Sequence, residues 1–113
     1  MSQITTHVLD VSIGKPAAGV LVVLEAEKPG GQWKELGRGA TDTDGRLKDL
    51  LASGSLAAGT YRLAFDTRAY FAARKIQSFY PQIAIVFEVR NANELHHVPL
   101  LLSPYGYSTY RGS

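Results

Sequence analysis

His97-Val98-Pro99-Leu100-Leu101-Leu102 is apolar on both faces of the strand it must form. Strand side chains alternate, so Val98, Leu100 and Leu102 share one face and Pro99 and Leu101 share the other. An antiparallel sheet with one wet face would instead alternate apolar and polar residues. Ile4 to Val11 repeats the anomaly. Ile4, Thr6 and Val8 read as its inner face, while Leu9 and Val11 join Thr5 and His7 on the opposite one. One sheet is therefore expected to cover a core on its inner side and to meet another subunit's sheet on its outer side.

Outward from these strands, Gly, Pro and Asp separate short apolar runs at the spacing of a β-sandwich. Gly14-Lys15-Pro16 reads as a turn, Val20 to Glu27 as a strand, Pro29-Gly30-Gly31 as a loop and Trp33 to Thr41 as a third strand. Asp42-Thr43-Asp44-Gly45 reads as a hairpin turn leading into a short strand from Arg46 to Leu50. After a loop around Gly54, Thr60 to Asp66 reads as a strand. Asp66 or Thr67 then caps a short helix carrying Tyr70, Phe71, Ala72 and Ala73. Ile83 to Arg90, Leu95 to Ser103 and, beyond Pro104, Tyr105 to Arg111 complete the set. The expected fold is all-β: a Greek-key sandwich of about eight strands with one short helix, in a single domain spanning residues 1–113.

With 113 residues, 45% hydrophobic and 19% charged, the composition is that of one globular domain. No apolar run approaches the roughly 18 residues of a membrane span. A net charge of +2, with the basic residues scattered, argues against nucleic acid as a partner. The absence of cysteine removes thiol nucleophiles, thiolate metal sites and disulfides. The opening MSQITTHVLD lacks the pattern of a secretory signal, and the chain lacks a final Ser-Lys-Leu, so a cytoplasmic location is expected.

Three histidines invite a zinc reading, which strand parity opposes. His96 and His97 are adjacent and must point to opposite faces. His97 and His7 instead lie on the two anomalous faces, where partly desolvated imidazoles are candidate acids or bases near neutral pH. The alternative is two structural histidines bonded to backbone. Asp42-x-Asp44-Gly45 lacks the further acidic ligands of a calcium loop, since Ala40 and Leu51 occupy their positions. Gly37-x-Gly39 lacks a dinucleotide-binding context, and Ser108 lacks the partners of a serine triad. Arg46 alone would pass for a solvated strand-end residue. The terminal stretch from Ser103 to Ser113 is aromatic and rich in small residues, and is expected to be placed within the assembly.

Four blocks carry a family resemblance over nearly the whole chain. They are Ile4-Thr-Thr-His-Val-Leu-Asp10 with Gly14-Lys-Pro-Ala17, Thr-Asp-Thr-Asp-Gly-Arg at 41–46, Phe79-Tyr-Pro81, and His97 through the closing Tyr110-Arg111-Gly112-Ser113. The sequence resembles the 5-hydroxyisourate hydrolases, the transthyretin-related proteins of purine catabolism. The resemblance implies a transthyretin-like sandwich and hydrolysis of the N1–C6 amide of 5-hydroxyisourate, with no metal or organic cofactor. It implies a homotetramer, a dimer of dimers, with sites in a channel between facing sheets. It carries the catalytic set onto His7, Arg46, His97 and Ser113, with Tyr110, Arg111 and Gly112 joining His7, Arg46 and Ser113 in substrate binding. One of His7 and His97 would be the base and the other an acid or positioning group. Where many members have His-Tyr before the second histidine, this chain has Leu95-His96, and parity turns His96 inward. The rival readings are a small-molecule carrier on the same fold and an adhesive or regulatory sandwich. A carrier has no use for an ionisable pair beside an arginine, and the adhesive or regulatory reading explains only the first half of the chain and leaves the C-terminal signature without a purpose.

Overall fold

The computed structural model describes residues 3–52 and 54–113. In chain order its elements are β1 (Ile4–Asp10), β2 (Lys15–Pro16), β3 (Leu21–Lys28), β4 (Gln32–Ala40), β5 (Arg46–Leu47), β6 (Gly59–Phe65), α1 (Thr67–Ala73), β7 (Ile83–Val89), β8 (His96–Ser103) and β9 (Gly106–Thr109). They form two sheets. One runs β4-β3-β6-β7, and the other runs β2-β1-β8-β9 with β5 also paired to β1. All pairings are antiparallel except one: β1 and β8 run parallel, from Ile4 opposite His96 to Asp10 opposite Leu102. No described helix is long and apolar enough to cross a membrane.

The core lies between the sheets. Ile4, Val8, Val98, Leu100 and Leu102 meet Val22, Leu24, Leu63, Phe65 and Ile83 there, as the period-two pattern expects. Helix α1 closes one end. Asp66 caps it by accepting from Ala69 N at 3.1 Å, and Tyr70 and Phe71 are its buried residues besides Thr67. The Tyr70 hydroxyl donates to Asp10 Oδ2 at 2.8 Å, and Asp10 is fully buried. Burial, followed by this bond, pushes the Tyr70 phenol up to about 12.

Three local readings change. Lys15–Pro16 is not only a turn but a two-residue edge strand on β1, where a proline is tolerated. Beyond Leu47 the expected strand to Leu50 makes no ladder. The last strand ends at Thr109, and the cause is Pro99: it has no N–H to give, and its carbonyl accepts from Thr109 Oγ1 at 2.7 Å. Gly112 returns on the same register as a single bridge opposite His97.

The segment Asp42–Gly45 is a tight turn without being a hairpin. Asp42 Oδ1 accepts from the backbone N–H groups of Asp44 and Arg46, both at 2.9 Å. Yet β4 pairs with β3 in one sheet, while β5 pairs with β1 in the other. The turn carries the chain across the sandwich. Gly45 sits at φ +75°, and a Cβ there would run into the Val8 carbonyl oxygen. That close approach sets Arg46 directly opposite His7.

Candidate functional site

Two rows of residues cross the outer face of the β5-β1-β8 sheet. One is Arg46, His7 and Pro99, and the other is Thr5, His97 and Gly112, each row fixed by strand register. Above the second row opens a concavity of about 180 Å³. Thr5, Arg46, Lys48, His97 and Ser113 line it, with Leu95 as an apolar wall. Three of the four catalytic candidates, Arg46, His97 and Ser113, thus meet at one opening.

His97 is held from three sides. Its Nδ1 lies 2.8 Å from Thr5 Oγ1, its carbonyl accepts from Gly112 N at 2.8 Å, and Gly112 packs against the ring. A Cβ at position 112 would stand 2.5 Å from His97 Cδ2, so only glycine fits there without displacement. Burial, then the charge of Arg46, then His7, hold the His97 imidazole below the ordinary histidine value. All three causes favour the uncharged ring, the form that can take a proton.

His7 is on the same face but does not line that concavity. Its Nε2 lies 2.9 Å from the Asp44 carbonyl oxygen. A carbonyl only accepts, so Nε2 carries the proton and, in the neutral ring, Nδ1 is left as the acceptor. Tyr110 and Arg111 line a neighbouring hollow with His96, His97, Phe87 and Thr109. Arg111 does not line the first opening; its guanidinium donates to Glu94 Oε1 at 3.3 Å and to the Leu95 carbonyl at 3.2 Å. His96 is buried, 4% exposed, on the inner side of β8, as parity requires. Its Nδ1 has no hydrogen-bond partner among the described residues.

Thr5 and Lys48 were not singled out in the sequence, although both carry a readable signal. Thr5 has the parity of His7, and Lys48 has the parity of Arg46. The carbonyl of Asp44 had no sequence signal, because backbone partners follow only from the fold.

Fold and site together define a two-sheet sandwich with a histidine–arginine opening on its outer face. The HIUase/Transthyretin family model matches residues 4–112. A 5-hydroxyisourate hydrolase of Salmonella typhimurium is 51% identical over 110 residues, covering 97% of this chain and 80% of that one. The solved 5-hydroxyisourate hydrolase of Klebsiella pneumoniae superposes with a TM-score of 0.84 at 36% identity, covering 97% of this chain and 98% of that one. Sea bream transthyretin, solved in complex with thyroxine, superposes with a TM-score of 0.92 at 29% identity, covering 97% and 94%. The chain belongs to the HIUase/Transthyretin family.

Proposed function

We propose that this chain hydrolyses 5-hydroxyisourate, opening the N1–C6 amide to give 2-oxo-4-hydroxy-4-carboxy-5-ureidoimidazoline. The observation that carries the reading is the convergence of a neutral histidine, an arginine and Ser113 on one concavity, in a chain whose near relatives are named for that reaction. A thyroxine carrier shares the sandwich, so overlap of the fold does not separate the two. The ionisable groups do, since a carrier needs no proton acceptor.

In this mechanism His97 is the base. With Nδ1–H donated to Thr5 Oγ1, Nε2 keeps its lone pair and takes a proton from water. The hydroxide adds to C6, and the Arg46 guanidinium receives the charge that develops on the carbonyl oxygen. The C6–N1 bond then breaks, and N1 leaves with the proton that His97 took from water, while His7, its Nε2–H held by the Asp44 carbonyl, acts as the positioning group through Nδ1. Ser113 donates a hydrogen bond to the bound ring, and Tyr110, Arg111 and Gly112 shape its surroundings. No metal or organic cofactor is required by this sequence of steps.

The same reading includes a homotetramer, a dimer of dimers, and a cytoplasmic enzyme. Leu9 and Leu101 on the outer face of β1 and β8, with exposed Val11, Leu95 and Tyr110 nearby, support burial of that face between subunits. Stopped-flow decay of freshly generated 5-hydroxyisourate tests the function. Catalysed ring opening by the parent chain, with a loss of about 100-fold or more in kcat/KM for His97→Asn, is the expected result. An unchanged decay rate on adding the parent chain would leave the carrier reading.

A further inference from the structure

Lys48 lines the concavity beside Arg46, and the family resemblance gave it no role. Strand β5 runs antiparallel to β1 with Arg46 opposite His7 and Leu47 opposite Thr6. The ladder ends there, and Lys48, the next residue, reaches the opening that Thr5 and His97 also line. Arg46 and Lys48, two residues apart, thus face the same opening. Neither forms an ion pair among the described residues, and no acidic side chain lines the opening. On the same segment, Asp42 has its carboxyl lowered chiefly by the backbone N–H of Arg46 and only in part by Lys48.

Two cations outside any ion pair among the described residues exceed what one oxyanion requires. Amide hydrolysis explains the surplus. Water adds across C6–N1, the bond breaks, N1 takes a proton, and C6 becomes a carboxyl group that is ionised at neutral pH. The product carries one carboxylate that the substrate lacks. We infer that Lys48 binds the carboxylate formed at C6, acting beside Arg46 as a second, substrate-contacting cation; the inference rests on the hydrolase reading. Lys suits this role better than a second Arg would. It is a mobile point charge on a four-carbon stem and can follow the carboxylate as the ring opens, whereas the Arg46 fork is fixed in plane.

The test compares the parent chain with Lys48→Arg, Lys48→Met and Lys48→Glu. Substrate decay gives kcat and KM, and added product gives its inhibition constant at low and at high NaCl. Lys48→Met keeps most of the stem and removes the charge. It should weaken product inhibition about 5- to 10-fold at low salt, with KM rising more than kcat falls. Lys48→Glu should be worse, and Lys48→Arg should stay within about twofold of the parent. The spread should shrink at high NaCl, which a merely structural role would not do. If Lys48→Met and Lys48→Glu inhibit as the parent does while Arg46→Lys loses turnover, Lys48 is a solvated cation and the inference fails alone. If the parent does not accelerate decay, the hydrolase reading fails and takes this inference with it.

Discussion

Gly112→Ala tests whether the closing tetrapeptide holds His97. The new Cβ would lie 2.5 Å from His97 Cδ2, 3.1 Å from Pro99 Cγ and 3.3 Å from His97 Cγ. Ordinary carbon contacts are about 3.5–4.0 Å, so roughly 1 Å of movement is needed. Pro99 is buried and cannot give, which leaves two routes. Either the His97 ring swings away and loses its 2.8 Å contact with Thr5, or the 110–113 segment lifts and loses the 2.8 Å bond from Gly112 N to the His97 carbonyl. Both misplace a group of the proposed mechanism by about 1 Å, an error worth on the order of 100-fold in kcat/KM. Gly112 does not have a positive φ, so alanine adds no backbone strain and should change global stability little. Gly106→Ala is the control: its Cβ would meet only Ser103 Oγ at an ordinary 3.7 Å. Stopped-flow kinetics and thermal melts on both variants decide the matter. Parental kcat/KM for Gly112→Ala would refute the packing of the tetrapeptide on His97.

Thr5→Val keeps the shape of a buried side chain and leaves His97 Nδ1 unpartnered, so kcat/KM should fall about 10-fold with Thr5→Ser restoring most of it; equal rates for Val and Ser would remove Thr5 as a positioning residue. Arg46→Gln should raise the His97 pKa, because a neighbouring positive charge is lost. The value should still stay below the ordinary 6.5, since burial is the larger cause, and NMR titration of the His97 ring reads both parts. Tyr70→Phe removes the phenol that donates to fully buried Asp10 and should cost about 1.5–3 kcal/mol in urea unfolding, without altering turnover per folded chain. In the parent, the raised Tyr70 pKa adds stability that is complete below about pH 10 and is lost as pH climbs through about 12.

The fold was legible wherever one face of a strand had to be dry. Ile4, Val8, Val98, Leu100 and Leu102 are all buried, and Asp66 caps the helix that carries Tyr70 and Phe71. What failed was partnership. Asp42–Gly45 has the residues of a hairpin turn because its local geometry is that of a turn, with Asp42 bonded to the next two backbone amides that point at it. Nothing local says that the strand before it belongs to one sheet and the strand after it to the other. Likewise Pro99 looked like one more apolar residue on an outer face, although its missing N–H ends the ladder with β9 at Thr109.

The site was legible for a related reason and incomplete for another. Parity alone separated His97 from His96, and burial of the His96 ring on the inner side of β8 agrees with that division. Parity could also have drawn in Thr5 and Lys48, but single residues of these common types carry no chemical signal until the fold brings them to the opening that His97 and Arg46 line. The chemistry of the opening comes from three segments far apart in sequence: Thr5 on β1, Arg46 and Lys48 at β5, and His97 with Gly112 across the β8 edge. They come together because the turn at Gly45 crosses the sandwich rather than doubling back. A true hairpin at that point would return Arg46 alongside β4, in the sheet that lacks β1 and β8, and would leave His97 without the neighbouring charge that helps keep it neutral. The crossing turn is thus as much a part of the site as any side chain in it, and Gly45, tight against the Val8 carbonyl oxygen, is the residue that permits it.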